Sequence, residues 1–300
     1  MVTIPQTVID YLNSLDTEVE KIDLSNEGLT VLPDLSRFTN LKKLYLYYNQ
    51  ITKIGKLPDG LKRLDCTGNQ IEVLDNLPNN LKKLYCWHNQ IKKLDNLPKN
   101  LKVLYCNNNQ IKELNNLPDN LIELGCEHNK IQELNNLPNT LELLSCNHNK
   151  IQELDNLPKN LKVLSCNHNK IQELDNLPNT LELLDCSNNQ IKELNNLPNT
   201  LKVLDCRNNK IQELDNLPNT LKILYCNYNK IQELDNLPNT LEILDCNYNP
   251  LPSVDINILK EIDIDRRKEK FIMFILSMSK SEFSFDKDDM LEKIGKYVLT

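Results

Sequence analysis

The chain has 300 residues, with 35 Lys and Arg against 42 Asp and Glu and a formal charge of −7. That balance argues against general binding to nucleic acid or to an anionic membrane. The length would ordinarily divide into two compact domains, but a repeat array can run this far as one body because each unit touches only its neighbours.

The first residues, MVTIPQTVIDYL, lack the apolar core and small-residue cleavage pattern of a secretory signal. From Pro5 to Leu15 the apolar residues Val8, Ile9, Leu12 and Leu15 fall at helical spacing, with Pro near the start, where its missing donor does no harm. Residues 1–18 are expected to form a helical cap. A divergent 22-residue unit, Val19 to Asn40, follows. Its Ile22, Leu24, Leu29 and Leu32 match later apolar positions, while Glu27 stands where later units carry Asn.

Between Leu41 and Leu241 a 20-residue unit starts eleven times, on the pattern L-x-x-L-x-[C/L]-x-x-N-x-[I/L]-x-x-[L/I/V], and ten complete copies run through L-P into the next. A unit this short cannot enclose a core of its own, so it buries its apolar face against copies of itself. Residues 19–252 are therefore expected to form a solenoid of twelve strand-bearing units. Alternation around positions four and six, such as Leu164 and Cys166, predicts a short strand with those side chains inward and Val163, Ser165 and Asn167 outward. Parallel stacking of such strands at about 4.8 Å gives a curved sheet lining a concave face. Ile171, Leu174 and Leu177 return to the core from the convex side. There the segment Asp175-Asn176-Leu177-Pro178 is too short for a helix and reads as extended or polyproline-like.

Past the array, Phe271, Phe274, Ile275 and Met278 form one helical stripe, and Met290, Leu291, Ile294, Tyr297 and Val298 form a second. An open solenoid end needs a seal, so residues 253–300 are expected to be a C-terminal helical cap, with a separate partner-binding tail as the alternative. The apolar run Phe271 to Leu276 is far below the roughly 20 residues that cross a bilayer, so no membrane insertion is expected.

Two columns run the length of the array. Asn49, Asn69, Asn89, Asn109, Asn129, Asn149, Asn169, Asn189, Asn209, Asn229 and Asn249 occupy position nine. An inward Asn there can offer both carbonyl and amide to backbone groups of adjoining turns, which gives it a structural role. The ten cysteines, Cys66 to Cys246, all occupy position six. Paired CxxC zinc spacing is absent, and neighbouring parallel strands sit a little wide for a disulfide, so the thiols act as small buried apolar groups. An unbonded column points to a reducing compartment, cytoplasm or nucleus, of the producing cell or of a host that receives the protein.

These units resemble leucine-rich repeats, on the signature L-x-x-L-x-[C/L]-x-x-N-x-[I/L] over about Val19 to Leu251. The period with L-x-x-L-P is similar to the short bacterial-effector subclass, whose segment is usually L-P-x-L-P; Asp75-Asn76 and its copies replace the first Pro here. The Asn-rich, Cys-bearing version also resembles repeat proteins encoded by giant DNA viruses or protists. Some of the bacterial proteins add a ubiquitin-ligase domain with a catalytic cysteine. Every cysteine here lies in the repeat core and about 50 residues follow Leu251, so that activity is not carried over.

Nearly all unusual residues fall at outward strand positions, whereas the convex stretch repeats as Q-E-L-[D/N]-N. Near the N-terminus Lys43, Tyr45, Tyr47, Tyr48, Arg63, Lys83, Tyr85, Trp87 and His88, joined by Tyr105, make an aromatic and basic patch suited to an acidic or phosphorylated partner segment. In the middle, position three turns aliphatic (Val103, Leu143, Val163, Leu183 and on to Ile243) and either forms a partly apolar groove or packs on its neighbours. His128, His148 and His168 share position eight on consecutive units. Arg207, Tyr225, Tyr228 and Tyr248, with Asp185, Asp205 and Asp245, form a mixed far patch. Serines without a general-base partner and the lack of a phosphate-cradling glycine loop argue against catalysis. The expected function is a non-enzymatic protein-binding module gripping its partner on the concave face, with no cofactor and no metal. The alternatives are an adaptor recruiting host machinery, such as a ubiquitin ligase, through its terminal helices, and a metal-binding or enzymatic site on the histidine column.

Overall fold

The computed structural model describes residues 4–251, which form one helix and one sheet. Helix α1 (Gln6–Ser14) buries Val8 and Leu12, while Ile9, on the predicted stripe, stays 36% exposed. It is held to the first unit where Arg37 Nη2 donates to the carbonyl of Leu12, next to the fully buried Leu35 and Phe38. The C-terminal helical cap expected in residues 253–300 lies outside the described residues.

Twelve three-residue strands follow: β1 (Lys21–Asp23), β2 (Lys43–Tyr45), β3 (Arg63–Asp65), β4 (Lys83–Tyr85), β5 (Val103–Tyr105), β6 (Glu123–Gly125), β7 (Leu143–Ser145), β8 (Val163–Ser165), β9 (Leu183–Asp185), β10 (Val203–Asp205), β11 (Ile223–Tyr225) and β12 (Ile243–Asp245). They form a single parallel sheet in chain order. Every pair keeps equivalent positions side by side, as in Leu164↔Leu184. The ladder outlasts the strands at both ends. Lys62 N–H donates to the Lys42 carbonyl at 2.8 Å, Cys86 N–H to Tyr105 at 2.9 Å and His88 N–H to Asn107 at 3.0 Å, with equivalents along the array.

The core lies between the sheet and the outer segments. In the unit starting at Leu161, residues Leu161, Leu164, Cys166 and Ile171 are 0% exposed, and Leu174 and Leu177 close the outer side. All ten cysteines are free and buried. Burial pushes their thiols up, to about 12 for Cys106, so little thiolate exists there near neutral pH.

No outer segment is helical, as expected, but most are not simply extended. The Asn before Leu-Pro takes a left-handed backbone in the nine units from Asn76 to Asn236, for example φ 55° at Asn176. Proline keeps its predecessor extended, so the reversal falls one residue earlier, on a side chain that tolerates φ > 0. A second left-handed site sits just past each strand, at position eight. All twelve units have it, from Asn26 (φ 62°) to Tyr248 (φ 57°).

Asparagine side chains tie the turns together. In Asn129, Oδ1 accepts the N–H of Ile111 at 2.9 Å, and Nδ2 donates to the carbonyls of Cys106 (3.0 Å) and Cys126 (3.1 Å). The same bonds recur from Asn69 to Asn249. Asn49 likewise serves the first unit, accepting from Glu27 and Leu29 N–H; Glu27 at the same position has no strand before β1 to serve among the described residues. A further ladder was not foreseen: from Asn80 to Thr240 the residue before each unit start reaches back to the preceding turn, as Asn100 Nδ2 to Asn79 O (3.0 Å) or Thr200 Oγ1 to Asn179 O (2.8 Å).

Asn129→Ala strands the Ile111 N–H and two carbonyls in the interior and is expected to cost about 3 kcal/mol in urea unfolding. At position eight, Asn188→Val forces a β-branched residue into φ 55° and should cost about 1–2 kcal/mol. Asn188→Gly should leave the urea midpoint nearly unchanged.

Candidate interaction site

The outward columns of the sheet are positions three, five and seven, with position eight at the turn beyond. In β2 to β5 they carry the basic and aromatic residues. The Arg63 guanidinium lies between the Tyr45 and Tyr85 rings, 5.1 and 4.8 Å from their centroids, and Lys21 Nζ sits 5.0 Å from Tyr45. Tyr85 stacks on Tyr105 at 5.7 Å, and Tyr85, Trp87 and Val103 form a buried apolar cluster with Tyr105 against it. Tyr45, Tyr47 and Tyr48 meet edge to face, and Trp87 tilts against His88 at 5.1 Å.

Glycines make room for two of these rings. A Cβ on Gly125 would lie 2.5 Å from Tyr105 Cδ1, and one on Gly68 would lie 2.6 Å from Tyr48 Cδ1. Each tyrosine therefore spreads over the next unit. Tyr105 also donates its hydroxyl to Glu123 at 3.1 Å.

In β7 to β9 the face is built from small polar residues joined in one network. Ser145 Oγ donates to Glu127, Asn147 Nδ2 to Ser145 (3.2 Å), Ser165 Oγ to Asn147 Oδ1 (2.9 Å), Asn167 Nδ2 to Asp185 (2.6 Å) and Ser187 Oγ to Asp185 (2.8 Å). Burial raises the Glu127 carboxyl above its usual range, with Ser145 pulling the other way. At the far end Arg207 grips Asp205 through Nε (2.9 Å) and Nη2 (2.6 Å) and leans over Tyr225. Burial and the neighbouring Asp185 charge still push Asp205 up to about 7.

The three histidines stack along the array: His128 on His148 at 4.1 Å and 11°, His148 on His168 at 4.1 Å and 50°. Tyr228 and Tyr248 stack likewise at 4.2 Å. Among the described residues no group of three or more His, Cys, Asp or Glu is arranged to hold a metal.

The face is more closed than the alternation suggested. Arg63, Tyr85, Trp87 and Tyr225 are buried, and the aliphatic column from Val103 to Ile243 is buried except for the half-buried Leu143. Tyr45, Tyr47, Lys83, Tyr105 and Arg207 are half-buried. The exposed members are Lys43, Tyr48, His88, His128, His148, His168, Tyr228 and Tyr248, all but Lys43 at position eight. The sequence reading missed that this column is the accessible one and that its backbone is left-handed. The signal was there, since Asn26, Gly68, Asn108, Asn188 and Asn208 share the column with the histidines and tyrosines.

Comparison with known proteins agrees with this architecture. The family model for leucine-rich repeats (2 copies) matches residues 39–79, 59–99, 79–119 and 199–239. The solved structure of YopM from Yersinia enterocolitica superposes with a TM-score of 0.75 and 32% identity, covering 80% of this chain and 58% of that one. The functional domain of InlJ from Listeria monocytogenes, described as including a cysteine ladder, gives 0.72 and 31%, covering 79% and 55%. An internalin, InlF of Listeria monocytogenes, shares the fold at 0.63 and 22%, covering 82% and 86%. No curated protein sequence matches the chain. The chain is a leucine-rich-repeat protein related to bacterial members of that family, and it spans a little over half the length of the solved YopM chain and of the solved InlJ domain. Among the described residues no helix is long and apolar enough to cross a membrane.

Loss of water contact and the charges of its two neighbours hold His148 down to about 4, and His128 and His168 are lowered as well, first by desolvation. An unfolded imidazole protonates near 6.5, so between pH 6.5 and 4 the unfolded chain binds more protons and the fold weakens as pH falls. Changing all three to Asn, the residue at 108, 188 and 208, is expected to flatten this part of the stability curve in urea titrations at pH 7 and 4.5.

Proposed function

We propose that the chain is a non-enzymatic protein-interaction module that holds its partner along the concave sheet face. The observation that carries this reading is the contrast between surfaces. From Lys112 to Asn236 the outer stretch repeats in every unit as [Q/K]-E-L-[D/N]-N, for instance Gln172 to Asn176 and Gln212 to Asn216, while the sheet columns of the same units change character every few units. A solenoid scaffold with a variable sheet face suits recognition, and function on such a fold resides in the grafted surface.

Within this reading the contact is led by the exposed aromatics Tyr48, Tyr228 and Tyr248, with His88 and the histidine stack between them and the half-buried Tyr45, Tyr47, Tyr105 and Arg207 behind. Tyrosine supplies large contact area with few rotors to freeze. The buried Tyr85, Trp87 and Tyr225 support that surface from beneath. Within the array at 19–252, which the helix of the segment 1–18 caps at its start, the ten unbonded thiols suit a cytoplasmic or nuclear setting.

Asn is the residue that takes the position-eight backbone in neighbouring units, so Tyr48→Asn/Tyr228→Asn/Tyr248→Asn should fold normally. In crosslinking and capture from the native cell, this variant is expected to lose its partner by more than about tenfold, while the outer-face variant Gln172→Ala/Glu173→Ala retains it. Equal capture by the sheet-face variant would sink the proposal.

A further inference from the structure

The residue that precedes each strand, position two, forms a column whose charge pattern changes along the array. In the later units it mixes both signs, three Glu and three Lys from Glu142 to Glu242, and neutralises itself: Lys162 pairs with Glu142 at 3.3 Å, Lys202 with Glu182 at 2.5 Å and Lys222 with Glu242 at 3.4 Å. In the early units the same column reads Lys42, Lys62, Lys82, Lys102 without interruption, between Glu20 and Ile122. Each of these lysines donates its backbone N–H to the carbonyl of the column residue before it at 2.8 Å. Their backbones are therefore one strand spacing apart, about 4.8 Å, inside the roughly 8 Å screening length of physiological salt. Among the described residues no ion pair joins any of the four to a carboxylate. Lys62, Lys82 and Lys102 are exposed and Lys42 is half-buried.

Beside this column, at position three, stand Lys43, Arg63 and Lys83. By position the acidic residues next to the block are Glu20 at its edge, Asp23 and Asp65 on β1 and β3, and Asp59 beside Gly60, where an added Cβ would lie 3.9 Å from Lys42 Nζ. Residues 41–105 carry twelve Lys and Arg against five Asp and Glu, in a chain whose total charge is −7. A self-neutralising column was available to this repeat and is used in its later units; the early units forgo it and accept like-charge repulsion.

We infer that the Lys42–Lys102 run, with Lys43 and Lys83, is a docking strip for a short acidic peptide segment of the partner, its Glu, Asp or phosphorylated side chains lying across the lysine column. This deepens the concave-face reading and rests on it. The four lysines cover about 14 Å, the reach of four or five extended residues. The strip ends at Ile122 and Glu142, and the face beyond it carries Glu127, Asp185, Asp205 and Asp245. A long polyanion such as a nucleic-acid strand would be repelled there, whereas a short acidic segment would not.

The test uses fluorescein-labelled octaglutamate, octaglutamine and a twelve-nucleotide oligothymidylate, titrated with the full chain in fluorescence anisotropy. Octaglutamate should bind and octaglutamine should not. Affinity should fall at least about tenfold between 50 and 300 mM salt, since the contact is screened. Lys42→Gln/Lys62→Gln/Lys82→Gln/Lys102→Gln should lose at least about tenfold in octaglutamate affinity with a melting temperature no lower than the parent's, because these side chains make no internal ion pair and the change relieves their mutual repulsion. Lys162→Gln/Lys202→Gln/Lys210→Gln/Lys222→Gln, which removes the same charge elsewhere, should bind as the parent does. No octaglutamate binding, equal loss in both variants, or tighter oligothymidylate binding through the same four lysines would each overturn the inference. If the partner is lost with the tyrosine variant but kept by the Lys42–Lys102 variant, the lysine strip is wrong while the concave-face reading stands.

Discussion

Every unit of this chain is incomplete until the next one arrives, and the asparagine at position nine is where that dependence is greatest. Its amide reaches backward to the preceding unit's cysteine carbonyl and its oxygen takes the preceding unit's isoleucine N–H, as in Asn129 with Cys106 and Ile111. Buried backbone groups must find partners, and the tight turn after each strand leaves these without any in their own unit. The amide, which both donates and accepts, answers both needs. The strands can then be only three residues long, because the chain that follows them is held by side chains rather than by more sheet.

The surface inherits this rigidity. With backbone spacing fixed, side chains at equivalent positions must share one column, and what they do depends on the sequence of neighbours along it. Tyr105 lies over Gly125 because the next unit offers no Cβ. Arg63 sits between two tyrosines because one lies a unit before it and one a unit after. Asp205 tolerates burial beside Asp185 because Arg207, two residues on, closes over it with two hydrogen bonds. Charge and ring contacts on this face are thus set by composition along a column more than by sequence within a unit.

Most of the fold was legible because the repeat states its own period. Strand order, the cysteine and leucine columns and the position of Asn129 and its equivalents follow once the 20-residue unit is aligned with itself. Exposure was less legible. Alternation sends Tyr85, Trp87 and Val103 outward, yet at a strand spacing near 4.8 Å large outward side chains bury one another, and the three form a cluster of their own. The turn conformations were legible only in part. Proline at position eighteen announced an extended predecessor, but the left-handed Asn176 one residue earlier and His148 at position eight depend on backbone angles that a mixed column of Asn, Gly, His and Tyr only hints at. The residues after Leu251 carry helical stripes without a repeat to align them, so no such internal check applied there.

The left-handed backbone at position eight restricts which side chains this surface can present. In twelve units the column uses four residue types, Asn, Gly, His and Tyr, and the bulky branched aliphatics are missing from it. Asparagine, histidine and tyrosine codons differ by a single first-base change. A duplicated unit that arrives with the accommodating amide is therefore one mutation from an imidazole or a phenol, at a place where the turn already demands the strained geometry. Novelty on this column can arise one base at a time while the hydrogen-bonded scaffold behind it stays the same.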